Sequence, residues 1–160
     1  MLTEGQINRV WVKTIEAEVR SFYFGELAAR YVKRKQIITG VSFFLSSGAA
    51  ATLAAKTVSW VPLVMAALAA MVTAYSIAVN LDRKAVTMAK LHSTWNQLAA
   101  EYDRLWNHCH EDDADAQFES LLKRGRDASE IGSTEAPYDE GLIEKWQDRV
   151  NAQHGIVTPA

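Results

Sequence analysis

The stretch "FFLSSGAAATLAAKTVSWVP", Phe43 to Pro62, decides the fold. It opens on three large apolar side chains. It then sets Ser46, Ser47 and Gly48 where a lipid-facing helix would be most apolar, and reaches a lone Lys56 before Trp60 and Pro62. Reading outward, no charged residue lies between Lys35 and Lys56, and none between Lys56 and Asp82. At about 1.5 Å of rise per residue, each uncharged run can cross a hydrocarbon core of about 30 Å. The second run, "VPLVMAALAAMVTAYSIAVNL", is the more apolar, with Pro62 in its first turn where proline is tolerated. The first run has serines, threonines and glycines that offset its Ile, Val, Phe and Leu, so it needs the second as a partner in a hairpin.

Charge placement gives the hairpin its orientation. Arg30, Lys33, Arg34 and Lys35 precede the first run, Arg83, Lys84 and Lys90 follow the second, and Lys56 alone lies between them. The positive-inside bias then puts both termini in the cytoplasm, with the turn on the other side and Trp60 at an interface. The competing reading is a soluble four-helix bundle that buries two apolar helices. It gives no reason for basic clusters at both open ends of the hairpin. The expected fold class is all-α: a two-transmembrane hairpin with long cytoplasmic helices forming a stalk or bundle. The expected segments are an N-terminal helix at 1–35, a hairpin at 36–81 (spans 36–55 and 61–81, turn 56–60), a post-membrane helix at 82–110, and C-terminal helices at 111–160.

In lipid, helices associate through close backbone approach and interhelical hydrogen bonds. The second span carries Ala66, Ala70, Ala74 and Ala78 at four-residue spacing, and the first carries Gly48 among Ser47, Ala51, Thr52 and Ala55. These small residues suit packing within the hairpin or between copies. Two polar sets follow helical spacing as well: Thr39, Ser42 and Ser46 on the first span, and Thr73, Ser76 and Asn80 on the second. They either line a water-filled path between assembled hairpins or bond to their own backbone carbonyls. No charge sits at mid-span, which disfavours a proton relay or an ion-coupled transporter.

Before the hairpin, Ile7, Trp11, Ile15, Val19 and Phe22 form a helical stripe, interrupted in propensity by Gly25. After it, Met88, Leu91, Trp95, Leu98, Tyr102, Leu105 and Cys109 alternate steps of three and four. That seam is expected to build the stalk and the oligomer, against the helix that precedes the first span. "AQFESLLKRGR" reads as a short helix ending near Gly125, followed by a turn-rich connection, "SEIGSTEAPYD". The tail sets Leu142, Ile143, Trp146 and Val150 on one face, to dock on the bundle or on a partner.

The remaining chemistry is sparse. Cys109 is the lone cysteine, so no intramolecular disulfide forms. The first 35 residues are charged and do not read as a cleavable signal peptide. Net charge is −2, yet from Glu101 onward fourteen acidic residues stand against six basic ones, with no basic aromatic stripe for nucleic acid. "HCHEDDAD" at 108–115 lacks a second ligand cluster, so no metal is expected there. No nucleophile–base pair or phosphate loop points to an enzyme, and no cofactor is expected.

The run "RYVKRKQ" into a first span, the tight turn, the helix "LDRKAVTMAKLHSTWNQLAAEYDRLW" and the late "TEAPYDEGLIEKW" together resemble the SLATT family. These are two-transmembrane effector domains of bacterial nucleotide-signalling and other conflict systems. The resemblance covers most of the chain and implies a homo-oligomeric pore-forming effector in the bacterial inner membrane. It also implies an upstream sensor or nucleotide-signalling protein as the trigger. The competing class is a membrane-anchored adaptor whose cytoplasmic helices recruit another protein.

Overall fold

The computed structural model describes residues 1–54 and 60–156, with the side chains of 49 and 51–54 left aside. Within these residues the protein is all-helical: α1 (Glu4–Ala54), α2 (Trp60–Val79), α3 (Leu81–Asn107), α4 (Ala114–Glu135) and α5 (Glu140–Gln153). Of the expected turn at 56–60, residues 56–59 lie outside the described residues, as does Ala55.

Local chemistry sets the helix ends. Thr3 and Gln6 make a reciprocal cap on α1: Gln6 Oε1 accepts from Thr3 N at 2.8 Å, and Gln6 N reaches back to Thr3 Oγ1 at 3.4 Å. Asn80 separates α2 from α3 with a φ of 51°, a left-handed conformation that asparagine tolerates better than most residues. Asp139 caps α5 by accepting from Leu142 N at 3.1 Å.

The chain divides into two compact units, one of residues Met1–Leu27 and Thr87–Ala160, the other of Ala28–Val86. These boundaries fall inside α1 and α3 rather than at the ends of the uncharged runs. α1 passes through Lys35 and through Gly25 without a break, contrary to the interruption that glycine propensity suggests. At Gly25 the reason is packing, since an added Cβ would sit 3.0 Å from His92 Nδ1.

The first unit is a four-helix bundle of the start of α1 with α3, α4 and α5. The α3 seam is its core: Met88, Leu91, Trp95, Leu98, Tyr102, Leu105 and Cys109 are all buried. The beginning of α1 buries two faces. Ile15 and Val19 pack with Val150 of α5, flanked by Trp11 and Trp146, as the apolar stripe predicts. Val10, Thr14, Ala17, Ser21 and Phe24 are buried as well, a row of mostly small or hydroxyl side chains. Thr14 satisfies its hydroxyl on Val10 O at 3.0 Å, and His92 Nδ1 donates to Ser21 O at 2.8 Å.

α4 corrects the sequence reading. It does not stop near Gly125 but continues to Glu135, absorbing most of the expected connection. Its glycines are contact positions instead of stops. Gly125 lies against the Tyr102 hydroxyl, and an added Cβ at Gly132 would come 3.0 Å from Phe24 Cζ.

Candidate functional site: an exposed apolar helix pair

In the second unit the end of α1 and α2 lie antiparallel. Gly48 faces Met65 so closely that an added Cβ would run into the Met65 methyl, while at the opposite end Lys35 pairs with Asp82 at 2.5 Å. Apart from Val61 in the first turn, the buried and half-buried residues of α2 are Pro62, Met65, Ala69, Val72, Ser76 and Val79, which recur at steps of three and four and mark its contact face. On α1 the corresponding half-buried positions are Ile38, Ser42, Leu45 and Gly48.

The rest of the pair is apolar and uncovered. Phe43 and Phe44 are 74% and 72% exposed, Leu63 72% and Ile77 74%. The helical stretch that begins at Trp60 is long and apolar enough to cross a membrane, and only 11% of its most apolar window is buried inside the protein. A helix in the core of a soluble bundle would be mostly buried. The reading of two apolar helices buried by their own chain therefore does not describe this unit. Contiguous exposed apolar surface on this scale marks a site of contact with another protein or with a membrane.

The sequence-predicted polar sets are divided between the two faces. Ser42 and Ser76 are half-buried toward the helix pair; Thr39, Ser46, Thr73 and Asn80 are exposed. Thr73 donates to Ala69 O at 2.9 Å, so its hydroxyl is satisfied within its own helix. Ala66, Ala70, Ala74 and Ala78 are all exposed, a row turned away from α1. Packing inside the helix pair uses Gly48 and Ala69, and leaves that row to other contacts.

In the bundle unit the seam positions Leu91, Trp95, Leu98, Tyr102 and Leu105 are enclosed by their own chain and present no surface to another copy. Leu142 is buried and Trp146 half-buried, so α5 folds back onto the bundle. Trp146 stacks on Phe22 at 4.9 Å and donates from Nε1 to Glu26 at 2.9 Å. His154 ends α5 edge-on to Trp11 and 2.7 Å from Glu18.

A cleft of about 610 Å³ opens between α1, α4 and the segment leading into α5, with Arg20, Tyr23, Ser133, Tyr138 and Gln147 among its lining. Arg20 is already engaged there: it pairs with Glu16 at 2.5 Å, donates to Ser129 Oγ at 2.6 Å and lies over the Trp95 ring at 4.7 Å. Sequence reading missed this cleft because its walls are assembled from residues more than a hundred positions apart. Nearby in the core, burial pushes the Tyr102 phenol up to about 12, aided by the Glu16 carboxylate and opposed by Arg124. Among the described residues no group of His, Cys, Asp and Glu side chains is arranged to hold a metal ion.

No protein-family model, no curated protein and no solved structure matches the chain.

Proposed function

We propose that the α1–α2 pair is a membrane hairpin and that the protein acts as a homo-oligomeric effector that opens a path through the bilayer. The observation that carries the reading is the uncovered apolar surface of the pair, with Phe43, Phe44, Leu63 and Ile77 all turned outward. Water penalises that surface and a bilayer does not. Basic residues at the open end and one lysine at the turn support a hairpin with both termini in the cytoplasm of a bacterial cell.

Assembly follows from the outward row Ala66, Ala70, Ala74 and Ala78, whose small side chains let a second copy approach closely. Thr39 and Ser46, exposed on α1, are then the hydroxyls placed to line an opening, with Ser42 and Ser76 closer to the hairpin seam. The likeness in segment order to SLATT effectors adds the context: a bacterial conflict system in which an upstream sensor or nucleotide-signalling protein triggers the chain. The bundle unit is the part available to receive that signal.

The test is induction in bacteria loaded with a potential-sensitive dye. Depolarisation by the wild type, weakened when Thr39 and Ser46 are both replaced by valine and abolished by leucine at Ala70 and Ala74, supports the pore. The adaptor is the second reading, favoured by the cleft beside Arg20 and Tyr138. It predicts an unchanged potential and a partner retained through the bundle.

A further inference from the structure

Two adjoining hollows run along one side of the α1–α2 pair. One, of about 330 Å³, is lined by Ile37, Ile38, Val41, Met71, Val72 and Tyr75. The other, of about 210 Å³, shares Ile37, Ile38 and Tyr75 and continues to Val79, Leu81 and Arg34. Together they make a groove that is apolar along its length and has a guanidinium at one end. From Arg34 to Val41 the α1 wall rises about 10 Å, roughly two-thirds of one leaflet of a hydrocarbon core.

We propose that this groove seats one acyl chain of an anionic phospholipid, with the lipid phosphate on Arg34. The inference rests on the membrane reading above. Three observations converge on this occupant. The long groove is lined by aliphatic and thioether side chains and the Tyr75 ring, which suits a flexible hydrocarbon chain, and it carries no charge before its mouth. The cation stands only at the end that the charge pattern assigns to the cytoplasmic headgroup level, where the leaflet carries anionic lipid. Lys35, the adjacent cation, is engaged with Asp82 at 2.5 Å, which leaves the exposed Arg34 as the charge lining the groove. A guanidinium presents two parallel donors to a phosphate, a better match than a lysine ammonium. Bound this way, the lipid braces both helices of the pair and couples their spacing to the headgroup composition of the leaflet.

The full chain is reconstituted with vesicles of phosphatidylcholine alone or of equal parts phosphatidylcholine and phosphatidylglycerol. Co-flotation is measured first, then the lipids retained on the detergent-released protein are weighed by native mass spectrometry. The wild type should float with both vesicles and retain phosphatidylglycerol in preference to phosphatidylcholine. R34Q should lose about tenfold of that preference, as expected for the loss of one charge-assisted pair, with K33Q close to wild type. V41W, which fills the groove, should float normally and retain neither lipid. Equal retention of the two lipids by the wild type overturns the proposal, as does R34Q behaving like wild type. Lipid retained by V41W overturns it too, because the chain must then sit elsewhere or another copy must fill the groove. Failure of the wild type to float with either vesicle is a different result, and it sinks the membrane reading itself.

Discussion

Replacing Phe44 by arginine separates a lipid-facing helix from a water-facing one. Phe44 is 72% exposed and lies near the middle of the first uncharged run. In water, an exposed phenylalanine changed to arginine shifts stability by no more than about 0.5 kcal/mol, and the more polar surface raises solubility. In a bilayer, arginine near the helix centre costs about 2.5–3.5 kcal/mol and the phenylalanine contribution of about −0.3 to −0.6 kcal/mol is lost. The swing is about 3–4 kcal/mol, a shift of roughly 100- to 1,000-fold in the insertion equilibrium. Because the first span is the weaker one, that penalty falls where insertion has least in reserve. The assay is carbonate extraction of membranes from expressing cells, with the fraction in the pellet measured for wild type, F44R and F44L. Wild type and F44L should remain in the pellet, and F44R should move to the supernatant or be degraded. F44R retained in the pellet at the wild-type level would refute the argument that this face meets hydrocarbon.

Three further outcomes follow from the bundle unit. Leu98 is fully buried within its own chain, so Leu98→Ala should lower the unfolding free energy by about 2–5 kcal/mol in chemical denaturation while leaving subunit stoichiometry by mass photometry unchanged. Gly125→Ala meets only an ordinary contact with Tyr102 and removes a flexible residue from a helix interior, so it should stabilise by about 0.5–1 kcal/mol; Gly132→Ala drives a methyl to 3.0 Å from the buried Phe24 ring and should destabilise by about 1 kcal/mol. The Tyr102 phenol is raised to about 12 in the fold against an ordinary value near 10, so folding favours its protonated form. That contribution is complete below pH 10 and is lost as pH rises through 12. Wild type should therefore lose about 2–3 kcal/mol more than Tyr102→Phe between pH 9.5 and 12, measured by denaturant midpoints.

The sequence made some of this legible and hid the rest for physical reasons. The α3 seam, from Met88 to Cys109, was readable because large apolar residues at steps of three and four leave one solution, burial on a single side. Its aromatic residues were expected against the helix that precedes the first uncharged run, and Arg20 of α1 does lie over the Trp95 ring. The share taken by α4, where Phe118 meets Tyr102 edge-on, was not readable, because that stretch was read as a short helix with no assigned partner. The buried row Val10, Thr14, Ala17, Ser21 and Phe24 carried almost no hydropathy signal, since small and hydroxyl side chains pack closely without being greasy. Gly125 read as a helix stop and Gly132 as part of a turn-rich connection because glycine has low helix propensity. In the fold, tertiary contact with Tyr102 and Phe24 outweighs that propensity. The four alanines of α2 were visible as a row, but period alone does not say which side of a helix its partner occupies. The half-buried positions put the partner helix on the face of Ala69 and Ser76 instead.

The central claim is that α1 and α2 cross one bilayer in opposite directions, and one-sided thiol labelling tests it most directly. Cys109 is the native thiol and is replaced by alanine, after which E4C and W60C are made singly. A membrane-impermeant maleimide is then applied to spheroplasts and to inverted vesicles. The account predicts W60C labelled only in spheroplasts and E4C only in inverted vesicles. Both positions reacting from the same side of the membrane would contradict it.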